Sequence, residues 1–177
     1  MGGGFGGKET QSNLFAVLAA IAAKRVRRTV KIRPDRDDDM IITGKRHPFL
    51  ARYEVGFDMS GKIHALKAIL SAQCGYSADL SGPVTDRALF HVDNCYFIPN
   101  IYLKSEPLFT TRVSNTAFRG FGGPQGILVG ERIIEEIAYS LRKNPLEIRK
   151  INLYGKLKLK PGISEPLSLI FPREVHT

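Results

Sequence analysis

The chain of 177 residues contains only two cysteines, Cys74 and Cys95, and they form no CxxC pair. This scarcity excludes a self-contained iron–sulfur cluster, a cysteine-rich zinc site and a disulfide framework. We therefore expect two reduced, partly buried thiols in a cytoplasmic protein.

Long apolar runs are also missing. The longest, residues 14–23, is about half the length that a membrane-spanning helix needs, so we expect no membrane association. It follows a polar, glycine-rich start that does not resemble a secretory signal peptide. The hydrophobic content of 43% is typical of a soluble chain with a packed core.

The net charge of +9 raises the question of nucleic-acid binding. The basic residues cluster at residues 24–28 and 156–160, and neither cluster contains interleaved aromatic residues or a known nucleic-acid motif. A solvated surface is therefore the favoured interpretation, and a surface that faces an acidic partner subunit is the alternative.

The pattern of apolar residues predicts an α+β fold, because helices and strands are interspersed without a regular βαβ order. Helices are predicted at residues 12–24, 84–92, 125–142 and 146–153, and strands at residues 29–33, 51–57 and 62–70 and within 101–113. The first helix should begin at an N-cap, Ser12, and be buried on most sides because apolar residues surround it. Residues from 155 onward read as irregular.

Two glycine-rich loops each precede a predicted helix: the first glycine loop (residues 2–9) and the second glycine loop (residues 115–125). The first loop lacks the phosphate-binding GxxxxGK[ST] pattern, since Glu9 follows Lys8. In both loops, glycines allow backbone N–H groups to approach a ligand closely, and phenylalanines offer a stacking surface. A flat or oxyanionic ligand is one interpretation, and tight turns with core phenylalanines are the other.

Four segments stand out along the chain: GGGFGGKE at 2–9, DRDDDMIITGKRHPFLARYEVGF at 35–57, DRALFHVDNCYFIPN at 86–100 and SNTAFRGFGGPQG at 114–126. In this order and spacing they resemble the first molybdenum-cofactor domain of the xanthine dehydrogenase family. The resemblance implies a partial molybdopterin-binding domain over residues 1–154 and a divergent or truncated tail over residues 155–177.

The resemblance implies hydroxylation of a carbon next to a ring nitrogen, with the oxygen taken from water. The molybdenum would be held by the dithiolene of its pterin and by no protein side chain. Backbone around Gly4, Phe5, Gly6, Ala117 and Arg119 would then surround the molybdenum and the pterin.

Four further residues receive roles from the resemblance. Phe118 and Phe121 would pack against a purine substrate. Glu9 would hydrogen-bond the purine ring and assist proton movement, as a partly buried glutamate can. Arg87 would stabilise the negative charge that develops on the substrate oxygen.

Each polar assignment has a structural alternative. Arg87 could pair with Asp86 or Asp93 on the surface, and Glu9 could be a carboxylate near a helix start. The pairing of Glu9 with Arg87 favours purines over aldehydes, because the related aldehyde oxidases generally carry other residues at both positions. The histidines His47, His64 and His91 are expected to be structural or surface residues, since no second ligand lies at metal spacing.

The resemblance also implies that parts of the enzyme lie outside this chain. These are the second cofactor domain with its catalytic glutamate, and the parts that bind 2Fe-2S and FAD. We therefore expect an inactive fragment of an oligomeric enzyme. A fragment of an aldehyde oxidase and a non-catalytic basic binding module that keeps the scaffold are the alternatives.

Overall fold

The computed structural model describes residues 4–154 and the backbone of residues 175–176. In chain order the elements are α1 (Gln11–Val26), α2 (Arg36–Ile42), β1 (Phe49–Phe57), β2 (Ile63–Gly75), α3 (Ser81–Leu89), β3 (Ile101–Phe109), α4 (Gly123–Leu141), α5 (Pro145–Asn152) and β4 (Val175–His176). The predicted α+β class is confirmed.

The sheet is mixed, with the order β1-β2-β3-β4. β1 and β2 form the predicted antiparallel hairpin, whose turn is closed by the Asp58 N–H donating to the Lys62 carbonyl at 3.1 Å. β2 pairs with β3 in parallel, and a parallel pair needs a crossover connection, which contains α3. β3 then pairs in parallel with β4.

The core lies between one face of this sheet and the helices α3, α4 and α5. Its largest fully buried side chains include Ile63 and Leu70 of β2, Ile133 and Ile137 of α4, and Ile148 of α5. Burying a side chain of this size contributes about 1.5–3 kcal/mol. This core fixes the relative positions of α3 and the start of α4, from which the site described below is built.

A row of three glycines, the glycine stripe (Gly122, Gly126 and Gly130), brings α4 against α3 and the segment that follows it. A Cβ at these positions would lie only 2.0–2.1 Å from the carbonyl oxygens of Val84, Ala88 and Val92. Any side chain here would therefore push the two helices apart. Gly126 and Gly130 lie four residues apart on one face of α4, and Gly122 is the N-cap residue just before it.

The prediction for α1 is correct in position but wrong in burial. The helix forms, yet none of its residues is buried, and Val17 and Ile21 are 57% and 61% exposed. A helix with so many apolar residues is usually buried against other elements, but none of the described residues packs over α1 closely enough to bury it. The helix begins after Thr10, so Ser12 is not its N-cap.

The region between α1 and β1 also differs from the prediction. Residues 29–33 form no strand, because no neighbouring strand pairs with their alternating pattern within the described part of the chain. The helix α2 was not predicted. The Asp35 carboxylate caps it by accepting a hydrogen bond from the Asp38 N–H at 2.8 Å, and three aspartates occupy its first turn.

The remaining predictions shift by a few residues. α3 begins at Ser81, three positions before the predicted start, and α4 begins close to Pro124 as expected. Cys74 is buried, whereas Cys95 is exposed instead of partly buried. The predicted irregular tail lies outside the described residues, except for the short strand β4.

Candidate functional site

The two glycine loops lie directly against each other. The Gly120 N–H donates to the Phe5 carbonyl at 2.9 Å, which joins the loops through their backbones. A Cβ at Gly7 would lie 3.1 Å from the Cα of Phe118 and 3.2 Å from the Ala117 carbonyl oxygen. The absence of a side chain at Gly7 therefore allows this close approach of the two loops.

Several residues of these loops adopt an unusual backbone conformation. Phe5, Lys8 and Phe121 have φ angles of 53°, 62° and 52°, in the left-handed region that favours glycine. For a residue with a side chain this conformation costs about 1–2 kcal/mol. Such conformations persist where the surrounding structure enforces them, and they concentrate at functional sites.

Two aromatic rings on this surface are each covered by a guanidinium group. The Arg119 guanidinium carbon lies 5.4 Å from the centroid of the Phe5 ring, and that of Arg46 lies 4.7 Å from the Phe118 ring. Both distances are within the range of cation–π attraction. Phe5 and Phe118 remain 68% and 51% exposed, so their rings are accessible for further contacts in this chain.

An open cavity of about 470 Å³ adjoins the second glycine loop. Its lining residues come from α3 and the following segment and from the loop itself: Pro83, Asp86, Arg87, Phe90, His91 and Phe121. Arg87 and Phe121, which sequence reasoning had assigned to one substrate, thus line the same cavity. The glycine stripe makes this arrangement possible, because it brings α3 next to the start of α4.

Arg87 lacks the surface ion pairs considered as its structural alternative. Within residues 4–154 its guanidinium forms no ion pair or hydrogen bond with Asp86 or Asp93. The Asp93 carboxylate accepts a hydrogen bond from the Tyr154 hydroxyl at 2.9 Å. The exposed cation of Arg87 is therefore available to a ligand in the cavity.

Glu9 occupies a less constrained position. It is exposed, so the partial burial expected for it is absent in this chain, and it is not among the residues that line the Arg87 cavity. Its neighbour Thr10 donates through its hydroxyl to the Asp79 carboxylate at 3.2 Å. Asp79 also accepts a hydrogen bond from the Thr116 hydroxyl, so one carboxylate connects the bases of both loops.

The three histidines have different environments. His47 is buried, and its Nε2 shares a hydrogen bond of 2.7 Å with the Ser81 hydroxyl. Burial lowers the pKa of His47, and the negative charge of Asp79 opposes that effect. His64 pairs with Asp58 at the exposed hairpin turn, and His91 lines the Arg87 cavity.

Sequence reasoning missed Arg46 and Asp79. Both act through contacts with the second glycine loop, Asp79 across 37 positions and Arg46 across 73. Arg46 belongs to one of the four segments singled out in the sequence, but no local pattern shows which loop it reaches. In the described residues, no three His, Cys, Asp or Glu side chains cluster as a metal site, and no helix is long and apolar enough to cross a membrane.

The chain belongs to the molybdopterin cofactor-binding domain family, whose members it matches over residues 1–153. Its relatives include xanthine dehydrogenases, as the four sequence segments had suggested. Xanthine dehydrogenase of Oryza sativa subsp. japonica is 51% identical over 156 residues, which cover 88% of this chain and 11% of the relative.

Two other comparisons extend further along the chain. Nicotinate hydroxylase of Emericella nidulans is 47% identical over 176 residues, or 99% of this chain and 13% of the relative. The aldehyde oxidoreductase of Desulfovibrio gigas superposes with a TM-score of 0.76 at 29% identity, covering 94% of this chain and 18% of that one. The chain thus spans about a tenth of the length of the curated relatives that it matches.

Proposed function

We propose that this chain forms one side of the cofactor cleft in a molybdenum hydroxylase that oxidises xanthine-type purines. One observation carries the proposal: the two glycine loops converge on a single surface next to the cavity that Arg87 and Phe121 line. The enzyme would take its oxygen from water, as the family resemblance implies.

The residues of this surface suit a flat, anionic cofactor. Phe5 offers an exposed ring, and the guanidinium groups of Arg119 and Arg46 supply positive charge on the same surface. We assign Gly4, Phe5, Gly6, Ala117 and Arg119 to molybdopterin binding. When bound, the molybdenum cofactor supplies the redox and oxygen-transfer chemistry.

Arg87 is proposed to act on the substrate by electrostatics. Its guanidinium lines an open cavity and forms no ion pair among the described residues, although the Asp86 carboxylate also lines that cavity. A purine oxygen that gains negative charge during attack on the ring would be stabilised by this fixed cation. Because arginine keeps its charge at any working pH, the stabilisation requires no proton transfer.

Phe118 and Phe121 are proposed to pack against the purine. Glu9 is proposed to hydrogen-bond the purine ring and to assist proton movement. Phe121 lies on the cavity beside Arg87, while Phe118 lies on the same loop three positions before it. The exposed carboxylate of Glu9 would accept or donate a proton once the remaining parts of the enzyme cover it.

The proposed enzyme requires parts that this chain does not contain. Its partners would be the second molybdenum-cofactor domain and the parts that bind 2Fe-2S and FAD, in an oligomeric, cytoplasmic assembly. This proposal is supported by the small share, 11–13%, of the relatives' length that the chain spans.

Two other substrates compete with xanthine. Nicotinate is favoured by the relative that matches 99% of the chain, and its carboxylate would also suit Arg87. An aldehyde is favoured by the aldehyde oxidoreductase that shares the fold. Arg87 separates the aldehyde from the other two substrates, because a simple aldehyde does not present a second oxygen for Arg87 to contact.

The test is the Arg87→Met variant of the enzyme that contains this chain, assayed with xanthine, nicotinate and benzaldehyde. We expect xanthine oxidation to slow by about a hundred- to a thousand-fold, or about 3–4 kcal/mol, and benzaldehyde oxidation to change far less. Arg112→Met is the matched control, since Arg112 is exposed and its side chain has no hydrogen bond or ion pair among the described residues.

The relative oxidation rates of the three substrates decide between these proposals. Preferential oxidation of nicotinate by the unmodified enzyme would replace the purine with nicotinate. Equal slowing of all three substrates by Arg87→Met would show that Arg87 maintains structure, and the electrostatic role would be wrong.

A further inference from the structure

Arg46 contacts the second glycine loop at three points. Its guanidinium lies over the Phe118 ring, its Nη2 donates to the Arg119 carbonyl at 2.6 Å, and its Nη1 donates to the Gln125 Oε1 at 3.4 Å. These contacts span the loop from the residue that presents the first ring to the start of α4.

The segment that carries Arg46 is itself anchored. The Lys45 carbonyl accepts a hydrogen bond from the Thr116 N–H at 3.0 Å, and the Lys45 ammonium donates to the carbonyls of Asp39 and Thr43 at 2.8 and 2.7 Å. On the other side His47 is buried against Ser81. Arg46 therefore extends from a fixed backbone, so less conformational entropy is lost when it forms its contacts.

Within the loop that Arg46 reaches, tight-turn backbone hydrogen bonds such as that from the Phe121 N–H to the Phe118 carbonyl at 2.7 Å form the internal contacts. Gly120 and Gly122 flank Phe121, and all three have positive φ angles. Glycine-rich backbone populates many conformations unless contacts from outside restrict it. A planar, forked cation meets this need, because it can stack on a ring and donate to two acceptors at the same time.

We propose that Arg46 is a positioning residue that holds the second glycine loop in the conformation that presents Phe118 and Phe121. Its importance for catalysis rests on the proposed function, because that function gives the two rings to the substrate. Its effect on the loop does not, and it can be measured without cofactor or turnover.

The test measures amide hydrogen exchange and the NMR signals of the Phe118 ring in this 177-residue chain. The reporter amides are Gly120, which donates to the Phe5 carbonyl, and Phe121, which donates to the Phe118 carbonyl. In Arg46→Met we expect both amides to exchange at least ten-fold faster and the Phe118 ring signals to shift. Core amides such as Ile137 should keep their exchange rates.

Two further variants make the result specific. Arg46→Lys keeps the cation but loses the planar fork, so we expect partial protection of the loop amides and partial recovery of the ring signals. Arg112→Met, at an exposed arginine without a side-chain partner in the described residues, should leave both reporters at wild-type values.

Unchanged exchange at Gly120 and Phe121 in Arg46→Met would overturn the proposal. If Arg46→Met does not fold, the same exchange measurement on Arg46→Lys tests the proposal. Faster exchange confined to the loop supports positioning, and equal acceleration of loop and core amides shows a role in global stability instead. Failure of the purine proposal would leave these measurements unaffected.

Discussion

Phe121 has an unfavourable backbone conformation and a side chain that faces an open cavity. Phe121 has a φ angle of 52°, and the glycines on either side of it also have positive φ angles. Its ring is only partly buried, beside Arg87. A phenylalanine needed only for packing would sit among core side chains. The combination supports a ring whose contacts are completed by a ligand.

We therefore predict that Phe121→Ala, in the enzyme that contains this chain, raises KM for xanthine and lowers kcat while the melting temperature barely changes. Deleting a buried aromatic side chain would instead cost about 3–5 kcal/mol of stability. Calorimetry and steady-state kinetics on the same preparation separate these outcomes.

Phe90 supplies the comparison for this experiment. It lines the same cavity but is 61% exposed and has no assigned substrate contact. Phe90→Ala should leave KM close to the wild-type value. A large fall in melting temperature for Phe121→Ala, with kinetics unaltered, would mean that the ring belongs to the core.

The sequence could suggest which residues belong to the site, but not how they are joined. The two glycine loops were singled out by composition, and the fold brings them into contact through Gly120 and Phe5. Arg46 and Asp79 could not be predicted, because their roles depend on contacts between distant segments. The roles of Glu9, Arg87 and the two phenylalanines remain predictions.

At the scale of elements, the glycine stripe determines how closely α3 approaches α4. A methyl group at Gly126 would lie 2.1 Å from the Ala88 carbonyl oxygen, a backbone atom that cannot move by side-chain rotation. We predict that Gly126→Ala lowers the free energy of unfolding by about 1–3 kcal/mol, the usual effect of overpacking. Chemical denaturation measures this change.

The matched control is Gly82→Ala. Gly82 lies in α3, and a Cβ there would have no neighbour within 4 Å. This change should be neutral or stabilising by about 0.4–1 kcal/mol, because alanine reduces the entropy of the unfolded chain. Similar stability of both variants would show that the helices can separate without loss, and that the stripe does not fix their distance.

Helix α1 provides a second prediction at this scale. Leu18 is 49% exposed, whereas Ile137 in α4 is 1% exposed. In this chain Leu18→Gln should therefore change stability by no more than about 0.5 kcal/mol. Ile137→Ala should cost about 2–5 kcal/mol. A large loss for Leu18→Gln in thermal unfolding would show that α1 is packed, contrary to the exposure described above.

The elements that the sequence predicted well have strong periodicity and a packing partner. The hairpin of β1 and β2 and the helix α4 meet both conditions. The helix α2 was missed because its seven residues are too few for a periodic pattern, and its signal lies in the cap at Asp35. Residues 29–33 have the pattern of a strand but no pairing partner in the described region, and pairing cannot be read from a short segment.

At the scale of the whole molecule, the chain corresponds to about a tenth of its curated relatives. A cleft formed on one side only should bind its cofactor poorly. We predict that the recombinant chain purifies without stoichiometric molybdenum and does not oxidise xanthine. Elemental analysis together with a spectrophotometric assay checks this. One tightly held molybdenum per chain would contradict a one-sided cleft.

The contact between Phe5 and Gly120 also has a consequence for biosynthesis. Phe5 is translated more than a hundred residues before Gly120, whose N–H donates a hydrogen bond to the Phe5 carbonyl. At about 5–20 residues per second, that interval is on the order of ten seconds. The β1–β2 hairpin can form during this time from neighbouring residues, but the paired loops cannot. During translation, the surface formed by the two glycine loops is therefore completed only after most of the described domain has left the ribosome.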